Sequence, residues 1–164
     1  MEAVRLVNWE DRKGGKESVD TDELETPPWL FKQLNDVFTF VFDAAATVDN
    51  TLCYEWQDGS VVAEGGDSLK MSWDFGGPVW LNPPYSNPEP FLQKAYAESS
   101  RGVTTVALIK GDPSTRWWNT TVKDKALTYW IPNRIKFYYK GKPTKYTASF
   151  PSVLAIYWGI KWKP

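Results

Sequence analysis

Four consecutive residues, Asn82-Pro83-Pro84-Tyr85, combine an amide, a rigidly aimed carbonyl and a flat ring. These are the parts needed to make a planar amine attack an electrophile. The exocyclic amine of a nucleobase is a weak nucleophile because its lone pair is delocalised into the ring. If the Asn82 side-chain oxygen and the Pro83 main-chain carbonyl each accept one of its hydrogens, the nitrogen is held toward tetrahedral geometry, with its lone pair directed at an electrophilic methyl. Pro83 and Pro84 restrict the backbone and so fix the direction of that carbonyl. Tyr85 offers a face for a base rotated out of a duplex. No strong base is needed, because the nitrogen becomes acidic once methylated, so a chain without histidine can run this chemistry. The same tetrapeptide also fits a plain tight turn, and its context must decide.

The elements on either side supply that context. Residues 78–81 read as a buried strand running straight into the tetrapeptide. Ser86-Asn87-Pro88-Glu89 then reads as a capped helix start, for a helix that carries Phe91, Leu92, Ala95 and Tyr96 and stops before Gly102. The motif therefore falls at the carboxyl end of a strand, where α/β sheets bind ligands. Upstream, Thr26 is expected to cap a helix that enters through Pro27 and Pro28 and runs past Trp29, Leu30, Phe31 and Leu34. A buried strand over residues 38–42 ends at Asp43, followed by a loop or helix start over 44–50. Glycines 59, 65, 66, 76 and 77 break residues 54–77 into short strands and turns. Residues 103–109 are the clearest strand, a helix is possible around 117–122, and strands are expected over 127–131, 135–139 and 152–157. Strands separated by helices predict an α/β fold with a mostly parallel sheet and an antiparallel edge.

At 164 residues the chain fits one domain, and its first 25 residues, polar and charged, read as a flexible arm preceding a domain over 26–164. Ten Trp, eight Tyr and eight Phe make it rich in flat aromatic faces. A single cysteine, Cys53, allows no internal disulfide, and with no His the usual ligands of transition metals are lacking, so no metal is expected. No apolar run approaches the roughly 20 residues of a membrane span, and no signal pattern opens the chain, so a soluble cytoplasmic protein is expected. The formal net charge of −1 conceals an asymmetry: residues 1–100 hold 7 Lys/Arg against 18 Asp/Glu, and residues 101–164 hold 12 against 2. A basic block of this kind is either a solvated face or a surface for a polyanion such as DNA.

The chain resembles the small phage-type DNA N-6-adenine methyltransferases, relatives of the Dam enzymes. The residues that carry the likeness are Thr26-Pro27-Pro28-Trp29-Leu30-Phe31, Phe42-Asp43-Ala44-Ala45, Asp67-Ser68-Leu69 with Trp73-Asp74, Val79-Trp80-Leu81 with the tetrapeptide and Ser86, Trp117-Trp118, Arg134-Ile135-Lys136-Phe137 and Phe150-Pro151-Ser152-Val153-Leu154. The resemblance implies a Rossmann-like fold that binds S-adenosylmethionine and methylates N6 of adenine in DNA. It implies that Asn82, Pro83, Pro84 and Tyr85 are catalytic. Thr26, Pro27 and Trp29 would lie beside the methionine part of the cofactor, Asp43 and Ala44 would form the loop after the first strand, and Asp67 would approach the cofactor's adenine, with Asn82 shared between the two ligands. The glycine-rich turn common in methyltransferases is replaced by Ala44-Ala45-Ala46-Thr47, which cannot take positive φ cheaply.

With no separate base-reading domain in view, DNA contacts are expected from residues 110–147: Lys110, Arg116, Lys123, Arg134, Lys136 and Lys140 on phosphates, and Trp117 as a wedge or stacking face. Core packing is the other reading of Trp117. Methylation of cytosine N4, or of another planar amine or amide, stays open, as does a nucleic-acid-binding module that has lost catalysis. A phage or prophage origin follows from the resemblance alone, and the oligomeric expectation is a monomer or weak dimer.

Overall fold

The computed structural model describes residues 19–46, 51–53 and 67–159. A single turn of 3-10 helix at Thr21–Glu23 leads into α1 (Pro28–Phe38) and β1 (Phe42–Asp43). Then come α2 (Asp67–Lys70), β2 (Val79–Leu81), α3 (Glu89–Ser99), β3 (Thr105–Lys110), α4 (Arg116–Thr121) and β4 (Leu127–Trp130). A small hairpin of β5 (Tyr138–Tyr139) and β6 (Lys142–Pro143) precedes β7 (Ser152–Tyr157).

The main sheet has the order β1-β2-β3-β7-β4. β1, β2 and β3 pair in parallel, and β7 runs antiparallel to both β3 and β4. Four strands thus point one way and one is reversed, which agrees with the α/β expectation of a mostly parallel sheet. The reversed strand lies one place in from the edge, and β4 is the edge itself. All four β4 residues are exposed, so the alternation over 127–131 does not mark a half-buried face.

Strand periodicity divides the core in two, because successive side chains leave a strand on opposite sides. Val79, Leu81, Ala107, Ile109, Val153, Ala155 and Tyr157 face one side, where α3 and α4 cover them through Phe91, Leu92, Ala95, Trp118 and Val122. Trp80, Val106, Leu108 and Leu154 face the other, covered by Leu30 of α1 and by Ile135, Phe137 and Phe150. Trp73 and Trp80 are fully buried on opposite faces; burying each large ring contributes about 2–3 kcal/mol.

Several local expectations are corrected. The α1 N-cap is Pro27, with no side-chain capping bond, and Pro28 occupies the first turn; Thr26 is buried instead. The apolar run 38–42 is split: Phe38 ends α1, Thr39 turns left-handed with φ 54°, and the strand starts only at Phe42. Asn35 makes that break, since its carbonyl accepts the Thr39 N–H and its side chain accepts the Phe40 N–H at 2.9 Å. Between 54 and 77 the expected short strands fall partly outside the described residues, and the described part, 67–77, holds a helical turn and no strand. Of the segment read as an arm, residues 19–25 are described and pack on the domain: Leu24 is buried, and Glu25 forms a bridge with Tyr138.

Candidate active site

Parallel β1 and β2 deliver their last residues to the same edge of the sheet. Asp43 is in register with Trp80, and Asn82 follows Leu81 at the end of β2. A cleft partly open to solvent lies there, lined by Asp22, Leu24, Glu25, Thr26, Asp43, Ala45, Ala46, Leu52, Trp80 and Asn82. Strand-end geometry thus brings together Thr26, Asp43 and Asn82, three residues distant in sequence.

The Asn82 side chain is held at one end only. Its Nδ2 donates to the Leu24 carbonyl at 3.1 Å, while its Oδ1 is buried and has no hydrogen-bond partner among the described residues. Because the Leu24 carbonyl can only accept, it fixes which end of the amide is nitrogen. A buried acceptor without a donor is costly unless a ligand supplies one. Just beyond the tetrapeptide, the Ser86 N–H donates to Asp22 Oδ1 at 2.8 Å and the Ser86 hydroxyl to Oδ2 at 2.5 Å. Pro83 is buried, and Pro84 and Tyr85 are half-buried.

Tyr85 stands among aromatic edges, with Phe150 at 5.5 Å and Phe137 at 6.1 Å between ring centroids, both nearly perpendicular. Its hydroxyl points to the Leu108 carbonyl at 3.4 Å. Burial pushes the phenol far above its usual range, so it stays neutral. The Lys110 ammonium lies 5.7 Å from the centre of the Phe150 ring, placing a cation beside this aromatic group.

At the other end of the cleft, Asp43 is buried, and desolvation pushes its carboxyl up to about 7 although it accepts N–H groups from Leu52 and Ala45. Burial, with the Asp43 charge adding to it, pushes the Cys53 thiol up to about 12. The turn after β1 closes without glycine. The Ala44 N–H donates to the Trp80 carbonyl at 3.0 Å and the Ser68 hydroxyl to the Ala44 carbonyl at 2.5 Å. None of Ala44, Ala45 and Ala46 takes positive φ, so the alanines cause no strain there.

Of the other residues expected near a cofactor, Pro27 is buried beneath α1, and Trp29 is 50% exposed on that helix; neither lines the cleft. Asp67 starts α2, but its side chain lies outside the described residues. Sequence reasoning missed Asp22, Leu24 and Glu25, which it had assigned to the arm, and Phe137 and Phe150 as neighbours of Tyr85. The signal available for Leu24 was one apolar residue among acids, which burial explains.

The expected DNA contacts fall into two sets. Arg134 and Lys136 are exposed and alternate with buried Ile135 and Phe137, so they project outward from the layer that covers Tyr85. Lys140 is exposed in the β5–β6 hairpin, which is tied to Glu25 through Tyr138 and through the Gly141 N–H. Arg116, by contrast, opens α4 and Lys123 follows its end, on the opposite face of the sheet, and Arg116 pairs with Glu89 at 3.0 Å. Trp117 packs against the core and stands edge-on to Trp118, which favours packing over a wedge.

Among the described residues no helix is long and apolar enough to cross a membrane. Residues 15–163 match the model of the family described as DNA N-6-adenine-methyltransferase (Dam). Among curated proteins, the DNA N-6-adenine-methyltransferase of Haemophilus phage HP1 is 32% identical over 129 residues, covering 76% of this chain and 71% of that one. The DNA N-6-adenine-methyltransferase of Escherichia phage T1 is 33% identical over 89 residues, covering 54% of this chain and 35% of that one.

Proposed function

The chain belongs to the DNA N-6-adenine-methyltransferase (Dam) family, and from that premise we propose that it transfers a methyl group from S-adenosylmethionine to N6 of an adenine in DNA. The observation that carries the reading is the buried, unpartnered Asn82 Oδ1 beside a nitrogen end already engaged by Leu24. The atom is an acceptor in want of a donor, and an amine hydrogen satisfies it.

The cleft residues fit the cofactor. Glu25 and Asp43 supply carboxylates for an ammonium group and ribose hydroxyls, and Ala45 and Ala46 leave room beside them. When bound, S-adenosylmethionine supplies an electrophilic methyl on a positively charged sulfur. Asn82 Oδ1 and the Pro83 carbonyl each take one hydrogen of the target amine and hold its lone pair toward that methyl. Tyr85 supports the face of the extruded base, with Phe137 and Phe150 bracing the ring from behind. One hydrogen of the methylated nitrogen then leaves as a proton to solvent, a step for which no basic side chain is required.

Lys110, Arg134, Lys136 and Lys140, on the side of the sheet that carries Tyr85, are the residues we assign to DNA phosphates. The test is transfer of labelled methyl from S-adenosylmethionine to unmethylated duplex DNA, followed by identification of the nucleoside. N6-methyladenine that vanishes in Asn82→Ala supports the reading. N4-methylcytosine would keep the site chemistry and replace the substrate, and failure to bind the cofactor would overturn the reading.

A further inference from the structure

We propose that Asp22 is a positioning residue for methyl transfer, tying the turn after the tetrapeptide to the strap that orients the Asn82 amide. The inference rests on the function proposed above and names a residue that acts through others.

The strap is the segment 20–25, and it is fastened at three places. Asp20 caps it locally by accepting the Asp22 N–H at 3.0 Å. Asp22 takes both donors of Ser86, 64 residues away, one on each carboxylate oxygen. Leu24 accepts from Asn82 Nδ2. Glu25 exchanges main-chain hydrogen bonds with Tyr138 at 2.8 and 3.0 Å, and its carboxylate accepts the Gly141 N–H at 3.0 Å.

A carboxamide is nearly symmetric in shape, so turning it over exchanges oxygen for NH2 at little steric cost, and its hydrogen bonds decide its sense. Turned over, Asn82 would present N–H groups to the hydrogens of the target amine, which repels the substrate it should hold. The Leu24 carbonyl prevents this only while it stays in place. Glu25 secures the strap on the hairpin side. Asp22 secures it on the side of the reacting loop, and it is the one side chain of the strap bonded to the 82–86 segment among the described residues. Two donors on one residue call for two acceptors in a fixed pair, which a carboxylate provides.

The experiment uses the full chain as wild type, Asp22→Ala, Asp22→Asn, Ser86→Ala and the Asp22→Ala/Ser86→Ala pair. It measures kcat and the KM for duplex DNA at saturating cofactor, the cofactor Kd by calorimetry, and the side-chain amide resonances of Asn82, assigned through their loss in Asn82→Ala. Asp22→Ala should lower kcat about tenfold or more, because small misplacements of reacting groups are costly in rate. The cofactor Kd should stay within about threefold, and the Asn82 amide protons should lose their protection from exchange. Asp22→Asn, which keeps an acceptor for the Ser86 N–H, should recover much of kcat and serves as the probe should the alanine variant fold poorly. Ser86→Ala should cost little more once Asp22 is gone, since the two act through one link. Unchanged kcat, a loss confined to cofactor Kd, or losses that multiply independently would each overturn the proposal. A wild type that methylates no adenine would refute the function instead, and the amide resonances would still decide whether Asp22 holds Asn82.

Discussion

Asn82 and Leu24, 58 positions apart in sequence, are joined by one hydrogen bond of 3.1 Å from side-chain nitrogen to main-chain oxygen. That bond decides the polarity of the site. It takes up the donating end of the amide and leaves the accepting end buried and unmatched at the end of β2.

Removing the amide should therefore slow transfer severely with limited damage to the fold. Asn82→Ala is expected to lower kcat about 10²–10³-fold, the usual cost of deleting one preorganised hydrogen-bonding group at a reacting centre. Asn82→Asp is the sharper probe. It keeps an acceptor toward the amine but sets a carboxylate oxygen against the Leu24 carbonyl, so it should be less stable than wild type at pH 8 and regain stability as the carboxyl protonates. Denaturant midpoints across pH, with single-turnover rates, check both; an aspartate variant as active and stable as wild type would count against the Leu24 contact.

Asp43 gives a prediction in pH. Its ordinary value is 3.8 and burial raises it to about 7 in the folded chain. Between these values the folded state holds a proton that the unfolded state has released, so this group's contribution to stability falls as pH rises through that window and levels off above it. Asp43→Asn should flatten the slope between about pH 4 and 7 in urea-unfolding experiments. A cationic ligand in the cleft favours the ionised form, so cofactor binding near pH 6.5 should release protons, seen as a dependence of the calorimetric heat on the buffer. If the slope survives in the variant, another group causes it.

Legibility in the sequence tracked how local each interaction is. β2, α3 and β3 follow from a short apolar run, a proline near a helix start and a glycine after its end, so the elements over 78–109 fall where they were expected, although the side-chain cap expected for α3 is absent, its N-cap being Pro88. The break at Thr39 did not, because an aromatic run such as Phe38 to Phe42 suits a helix end and a strand equally well. Asn82 and Tyr85 stand out as candidates in the sequence by their own chemistry. Asp22 and Leu24 were not, because their roles exist only after the strap meets β2, and a polar segment with one leucine carries no periodicity. The split of the cations between two faces depends on sheet order, which no local pattern encodes.

Tyr85 separates ring from hydroxyl. The contact to the Leu108 carbonyl is long at 3.4 Å, so Tyr85→Phe should cost about 1 kcal/mol of stability or less and leave transfer near wild type. Tyr85→Leu removes the face on which the base would lie and the edge contacts with Phe137 and Phe150. With stacking worth about 1–3 kcal/mol per base, the KM for DNA should rise roughly 5- to 150-fold. Equal behaviour of the two variants would remove Tyr85 from base binding.

The division of cations by the sheet can be read from salt dependence. Each lysine or arginine that neutralises a phosphate contributes about 0.9 to the slope of log affinity against log salt. Arg134 and Lys136 project from the layer over Tyr85, and Lys140 from the neighbouring hairpin. Alanine at any of the three should lower affinity for all duplex sequences alike and reduce the slope by about one. Lys123 is also exposed and carries the same charge but lies beside α4 on the opposite face. Lys123→Ala changes net charge by the same amount, so it controls for the overall field of the molecule. A slope unchanged in Lys123→Ala and reduced in the other three would assign the DNA to the Tyr85 side. Equal reductions in all four would mean that net charge alone attracts the duplex. A reduction in Lys123→Ala only would move the DNA to the α4 face, and with it the direction from which the target base approaches Asn82.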